Sequence, residues 1–121
     1  MRGLGELEAA VMHVVWDLTA PVTVRDVFEQ LVRDRQLAYT TVMTVMDNLH
    51  RKGMLRRTKD GRAWLYEAVA SRGEYTARVM RDVLRSADDQ TAAMMHFVAS
   101  MTEQESQTLR DLLRHRGGRR R

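Results

Sequence analysis

The segment Thr40-Thr41-Val42-Met43-Thr44-Val45-Met46-Asp47-Asn48-Leu49-His50-Arg51-Lys52 carries the residues best suited to chemistry in this chain. At about 100° per residue, Val42, Val45, Met46 and Leu49 fall on one side of a helix. Thr40, Met43, Thr44, Asp47 and Arg51 fall on the other, with Thr41 and Asn48 flanking. A helix with small, polar side chains on its outer face fits the major groove of duplex DNA. The hydroxyls of Thr40, Thr41 and Thr44 can bond to base edges or phosphates, and the threonine methyls and Met43 can meet thymine methyls. Thr40, at the helix start, can also hold a phosphate, because free backbone N–H groups point outward there. No Arg or Lys stands at the N-terminal end of this face, so the strongest guanine-reading pair is missing and selectivity must rest on weaker contacts and DNA shape.

Cations follow close behind. Arg51, Lys52, Arg56, Arg57, Lys59 and Arg62 suit phosphate contacts, which position a protein on DNA without specifying sequence. From position 35 to 62 seven basic residues stand against Asp47 and Asp60, a local charge of +5. The first 34 residues carry three Arg against six acids, a local −3, although the whole chain is at +4. Positive charge is therefore gathered on one part of the molecule, as a polyanion-binding surface requires.

The surrounding elements must position that face. Leu4, Leu7, Val11, Val14, Val15 and Leu18 recur at helical spacing, and Ala20-Pro21 ends that first helix. Trp16 lies off the centre of the stripe, placed to wedge against a neighbouring segment. Val22 is expected to form a minimal strand. Thr23 then caps a second helix, with Asp26 three residues on and Val24, Val27, Phe28, Leu31 and Val32 buried. The third helix is expected over 40–52, with Gly53 as its C-terminal cap. Two strands, 54–58 and 63–67, flank Lys59-Asp60-Gly61-Arg62, where Asp-Gly signals a hairpin. Trp64 and Tyr66 are expected in the hairpin's core rather than as stacking platforms. Three helices followed by a basic hairpin give a mainly α, winged helix-turn-helix plan.

After Ala68 the pattern becomes helical. Ser71 with Glu74 is a capping box before a stripe of Tyr75, Val79, Val83 and Leu84, flanked by Met80 and ending near Ser86. Met94, Met95, Phe97 and Val98 belong to a short helix over 92–99. Thr102 with Glu105 caps a last helix carrying Leu109, Leu112 and Leu113, which Gly117-Gly118 is expected to stop. These stripes are too small to enclose a core of their own. They pack either on the first half or on a second copy, and symmetric dimers are the usual readers of duplex operators.

Several function classes are excluded. The 121 residues contain no cysteine, so disulfides, thiolate metal sites and cysteine nucleophiles are absent. His13, His50, His96 and His115 form no ligand-like spacing, and no HExxH run, GxSxG elbow or phosphate-cradling glycine loop occurs. An enzyme, a metal and a cofactor are therefore not expected. No apolar run approaches the ~18 residues of a membrane span, and no secretory signal opens the chain, so the expected location is cytoplasmic.

The combination Leu7-Glu8-Ala9-Ala10-Val11-Met12-His13-Val14-Val15-Trp16, then Ala38-Tyr39-Thr40-Thr41-Val42-Met43-Thr44-Val45-Met46-Asp47-Asn48-Leu49 and Lys52-Gly53, resembles the penicillinase-repressor family, the BlaI/MecI/CopY group. In appearance it is most similar to the mycobacterial BlaI branch. The resemblance implies a homodimeric repressor whose winged helices bind inverted repeats with TACA/TGTA cores in promoters of beta-lactam resistance genes. By position, Thr40, Thr41, Met43 and Thr44 would face bases, and Arg62 with its neighbours would form the wing. Thr40 and Met43 stand where the best-known staphylococcal members are more basic, so operator preference is expected to differ. Residues 1–70 would be the DNA-binding domain, 71–116 a helical dimerisation domain and 117–121 a basic tail. Tyr75, Val79, Met80, Val83, Leu84, Met94, Phe97, Val98, Leu109, Leu112 and Leu113 would line the dimer interface. The family is released from DNA by an inducer-activated, sensor-type protease, often between Asn and Phe; the matching bond is His96–Phe97, with the Asn replaced. The copper-responsive branch is excluded by the lack of cysteine.

Two rivals share this plan. A ligand-sensing regulator of the MarR type would show longer terminal helices and a cavity between domains, whereas this tail is short. A winged helix devoted to protein interaction would not need the localised basic surface.

Overall fold

A computed structural model describes residues 4–19 and 21–119, with backbone only for 117–119. Eight elements follow in order: α1 (Glu6–Leu18), α2 (Val24–Leu31), α3 (Tyr39–Arg51), β1 (Leu55–Asp60), β2 (Ala63–Ala68), α4 (Arg72–Arg85), α5 (Gln90–Ala99) and α6 (Glu103–Arg119). They fall into two compact units, one running to Val79 and the other from Met80, so the division lies inside α4. No helix among the described residues is long and apolar enough to cross a membrane.

The first unit is a winged helix around one core. Val11, Met12 and Val15 of α1, Val24, Val27 and Leu31 of α2, Val42, Met46 and Leu49 of α3, and Leu55, Tyr66 and Val22 are all buried. Met12 lies outside the expected stripe of α1, and Val32, expected inside, is exposed just beyond α2. Full burial of a Val, Leu or Met side chain contributes roughly 1.5–3 kcal/mol. Val42, Met46 and Leu49 together therefore fix the rotation of α3 about its axis and force its other face outward.

Local chemistry sets the boundaries. Thr23 and Asp26 form a reciprocal cap at the start of α2, with Asp26 N–H donating to Thr23 Oγ1 at 3.1 Å and Thr23 N–H to Asp26 Oδ2 at 3.0 Å. Thr19 ends α1 at φ 58, a left-handed conformation. The helix α3 begins and ends one residue earlier than expected, with Lys52 as its cap residue. Gly53 follows at φ 82, its N–H bonded to His50 O at 3.0 Å, while Met54 N–H reaches Leu49 O at 2.9 Å. That pair of bonds is a Schellman ending, which needs the left-handed glycine and turns the chain straight into β1.

The hairpin is longer than expected. Asp60 pairs with Ala63, so only Gly61-Arg62 form the turn, not the four residues 59–62. Gly61 has φ 62 and Arg62 is not left-handed, the pattern of a type II′ turn, whose twist matches that of the flanking strands. Val22 bridges Tyr66 through two backbone bonds of 2.9 and 2.7 Å, giving the short third strand expected there.

The start of α4 is fastened to α1. Trp16 Nε1 donates to Ala70 O at 3.0 Å, its ring lies 5.8 Å from that of Tyr75, and Arg72 donates to Asp17 Oδ1 at 2.9 Å. Trp16 is thus the wedge anticipated from its off-stripe position. The Ser71–Glu74 capping box forms as expected.

In the second unit α5 begins at Gln90, two residues before the expected start, because Asp89 caps it by accepting from Ala92 N–H at 3.0 Å. The Thr102–Glu105 box starts α6. This helix runs through Gly117-Gly118 to Arg119, contrary to the expected stop. An interior glycine costs about 1 kcal/mol relative to alanine but leaves the backbone ladder intact, so it does not terminate a helix by itself. Arg120 and Arg121 lie outside the described residues. No described side chain from Met80 onward is buried.

Candidate nucleic-acid interface

The outward face of α3 carries Thr40, Thr41, Met43, Thr44, Asn48 and Arg51, all exposed. It is the back of the side that buries Val42, Met46 and Leu49, so the core dictates it directly. The four candidate base-facing residues therefore share one solvent-facing surface. Asn48 joins them there; its flanking position on the helical wheel was the available signal. The N-cap of α3 is Ala38, which supplies no side-chain bond to the first turn.

The six candidate phosphate-binding cations divide by what holds them. Lys52 Nζ lies 2.8 Å from Glu8 Oε1 of α1. Arg51 Nη2 is 2.9 Å from Asp47 Oδ2, and Arg57 Nη1 is 3.0 Å from Asp47 Oδ1. Arg56 meets Glu67 across the hairpin at 3.5 Å. Lys59 Nζ sits 4.5 Å from the centre of the Trp64 ring, and Arg57 lies over the same ring at 4.3 Å. Among the described residues Lys59 and Arg62 make no ion pair. Exposed ion pairs contribute only about 0–1 kcal/mol. Arg51 and Arg56 can therefore trade a carboxylate for a phosphate at little cost. Arg62 is available outright at the wing, and Lys59 has only the Trp64 ring to leave.

Two titratable groups are shifted in this region. The hydrogen bond from Lys52 holds the Glu8 carboxyl below its usual range, and the Gly5 N–H adds to the effect. Arg57 is raised above the ordinary arginine value, first by its bond to the Tyr66 hydroxyl at 3.3 Å and then by Asp47. Tyr66 is buried, as expected for hairpin core; Trp64, expected there too, is instead exposed, its ring covered by Arg57 and Lys59 rather than by apolar side chains. Residue spacing hides the Asp47–Arg57 and Lys52–Glu8 pairs, since both are tertiary. The Trp64–Lys59 contact follows from the hairpin register, in which the two residues are direct cross-strand partners.

The candidate dimer residues fare differently from one another. Tyr75 is buried in the first unit against Trp16, so that surface is already covered within one chain. Met80, Val83, Met94, Phe97, Val98, Leu112 and Leu113 are exposed, and Val79, Leu84 and Leu109 are half-buried. Met95 is exposed beside them. His96 and Phe97 both sit, exposed, within α5. Among the described residues no cluster of His, Cys, Asp or Glu is arranged to hold a metal ion.

The sequence profile described as Penicillinase repressor matches residues 4–115, nearly the whole chain. The chain belongs to the penicillinase-repressor family. Within that family it is 48% identical over 84 residues to the transcriptional regulator BlaI of Mycobacterium tuberculosis, covering 69% of this chain and 61% of that protein. It thus spans about three-fifths of the length of the curated relatives it matches. The DNA-binding domain of the repressor BlaI, solved in solution, superposes with a TM-score of 0.54 at 25% identity, over 60% of this chain and 88% of that one. The monomeric form of Bacillus licheniformis BlaI, solved in complex with the blaP half-operator, gives 0.50 at 25% identity, over 60% and 87%. Both agree with a penicillinase-repressor winged helix as the fold of the first unit.

Proposed function

We propose that this chain is a homodimeric transcriptional repressor acting in the cytoplasm on inverted-repeat operators with TACA/TGTA cores at beta-lactam resistance genes. The observation that carries the reading is the outward face of α3, with Thr40, Thr41, Met43 and Thr44 exposed and unencumbered beside a basic hairpin. The solved relative bound to an operator half-site lends support. In this reading α3 enters the major groove, and the four residues touch base edges and thymine methyls. Arg51, Arg56, Lys59 and Arg62 meet phosphates, with Lys52 and Arg57 held back by their carboxylate partners.

Dimerisation would use the exposed apolar residues of α4, α5 and α6, which no core within the second unit covers. Residues 1–70 would then act as the reading head and 71–116 as the dimerisation region. Induction would follow from cleavage at His96–Phe97 by an inducer-activated protease. Separating α6 from the rest would weaken the dimer, and a monomer binds a palindrome poorly because its second half-site contact becomes a separate bimolecular event.

The test is a fluorescence-anisotropy titration at fixed near-physiological salt, using a short duplex with a TACA/TGTA inverted repeat and a scrambled duplex. Sequence reading predicts at least ~1,000-fold tighter binding to the repeat. Equal affinity for both duplexes refutes it.

A further inference from the structure

One carboxylate of α3 is engaged at both of its oxygens. Asp47 Oδ1 accepts from Arg57 Nη1 at 3.0 Å, and Asp47 Oδ2 lies 2.9 Å from Arg51 Nη2. The two cations differ in place and freedom. Arg51 is one turn further along α3 and its side chain is 74% exposed. Arg57 belongs to β1 and its side chain is only 23% exposed. The Arg57 guanidinium also donates to the Tyr66 hydroxyl at 3.3 Å and lies 4.3 Å over the Trp64 ring, which carries Lys59 at 4.5 Å. A continuous set of contacts therefore runs from Asp47 through Arg57 to Trp64 and Lys59.

The wing needs such a tether. A two-stranded hairpin is marginal in water by itself. Its root is fixed by buried Leu55 and Tyr66 and by the bridge from Val22. Its distal part, residues 58–65, contains no buried side chain. The bond from Asp47 to Arg57 reaches the hairpin just before that unsupported stretch begins.

We infer that Asp47 is a positioning residue for sequence discrimination: it clasps the wing to α3 through Arg57 and keeps Arg57 from binding phosphate indiscriminately. The inference rests on the DNA-binding reading above and assigns Asp47 a task beyond it. Weak, short-range contacts from threonine hydroxyls discriminate only when α3 is held in one register. Phosphate contacts tolerate a loose wing and any sequence. Loss of the clasp thus improves the indiscriminate contacts and degrades the selective ones.

The experiment compares wild type, Asp47→Asn and Arg57→Gln on the repeat and scrambled duplexes across a salt series. Hydrogen exchange of the β1 and β2 amides is measured on the free proteins. Asp47→Asn is expected to bind the scrambled duplex more tightly, with a salt slope steeper by about one as the Arg57 guanidinium gains a phosphate. Its preference for the repeat is expected to fall roughly fivefold or more, and its wing amides to exchange faster. Arg57→Gln breaks the same clasp without freeing Arg57. It should lose preference and loosen the wing without gaining that phosphate contact.

Tightening of both duplexes by the same factor in Asp47→Asn, or wild-type exchange of the wing amides in either variant, overturns the inference. So does an Arg57→Gln protein that merely weakens on both duplexes equally, which is the behaviour of a phosphate contact. If wild type itself prefers neither duplex, the DNA-binding reading fails instead. Faster wing exchange in both variants then still supports the clasp, and unchanged exchange overturns it.

Discussion

Replacing Phe97 with Asp should separate the proposed dimer while leaving each winged helix folded. In the single chain 56% of Phe97 remains exposed. Full burial of a phenylalanine is worth roughly 1.5–3 kcal/mol, so covering the remaining half contributes about 1–1.5 kcal/mol per protomer. A symmetric interface contains the residue twice, and Phe97→Asp removes about 2–3 kcal/mol before any penalty for desolvating the new charge. The dimer dissociation constant should therefore rise by at least ~30-fold. Sedimentation velocity over a range of concentrations reads this directly. Thermal melting should be unchanged for the first unit, whose core of Val11, Met12, Val27, Val42, Met46 and Leu49 does not include Phe97. An unchanged dissociation constant would refute the assignment of α5 to the interface. A collapse of winged-helix stability would show instead that Phe97 supports that core.

Three further outcomes can be checked. Thr44→Ala should weaken binding to the inverted-repeat duplex by about 1 kcal/mol, with the scrambled duplex unaffected, as measured by anisotropy. Arg62→Ala should weaken both duplexes alike and reduce the salt slope by about one, because a phosphate contact carries no sequence information. Glu8→Gln should destabilise the fold by about 1 kcal/mol or less at pH 7 in urea melts. The folded-state carboxyl of Glu8 is depressed, so its stabilisation is present above the ordinary value of 4.5 and disappears as pH falls through the folded value. The two proteins should therefore converge in acid; a gap that persists there would rule out the Lys52 ion pair as the cause.

The outward face of α3 was legible because its physics is local. Val42, Met46 and Leu49 repeat at helical spacing, and their burial alone orients Thr40, Thr41, Met43 and Thr44 outward. The caps at Thr23, Ser71 and Thr102 were legible for the same reason, since each bond spans three residues. What escaped depends on distant partners. Nothing near Asp47 in sequence announces Arg57, ten residues on in another element, and nothing near Lys52 announces Glu8, forty-four residues away. Tyr75 belongs to an apolar stripe that suited an intermolecular contact, but Trp16 claims it within the chain. Gly117-Gly118 failed as a stop because glycine weakens a helix without blocking it.

A residue-resolved NMR titration with the inverted-repeat duplex, following backbone amides, tests directly whether α3 and the wing meet DNA. The largest shifts should cluster in residues 39–51 of α3 and in the wing between 55 and 68, strongest near Thr40, Thr41, Thr44 and Arg62. Shifts concentrated on α5 and α6, with α3 silent, would contradict that contact.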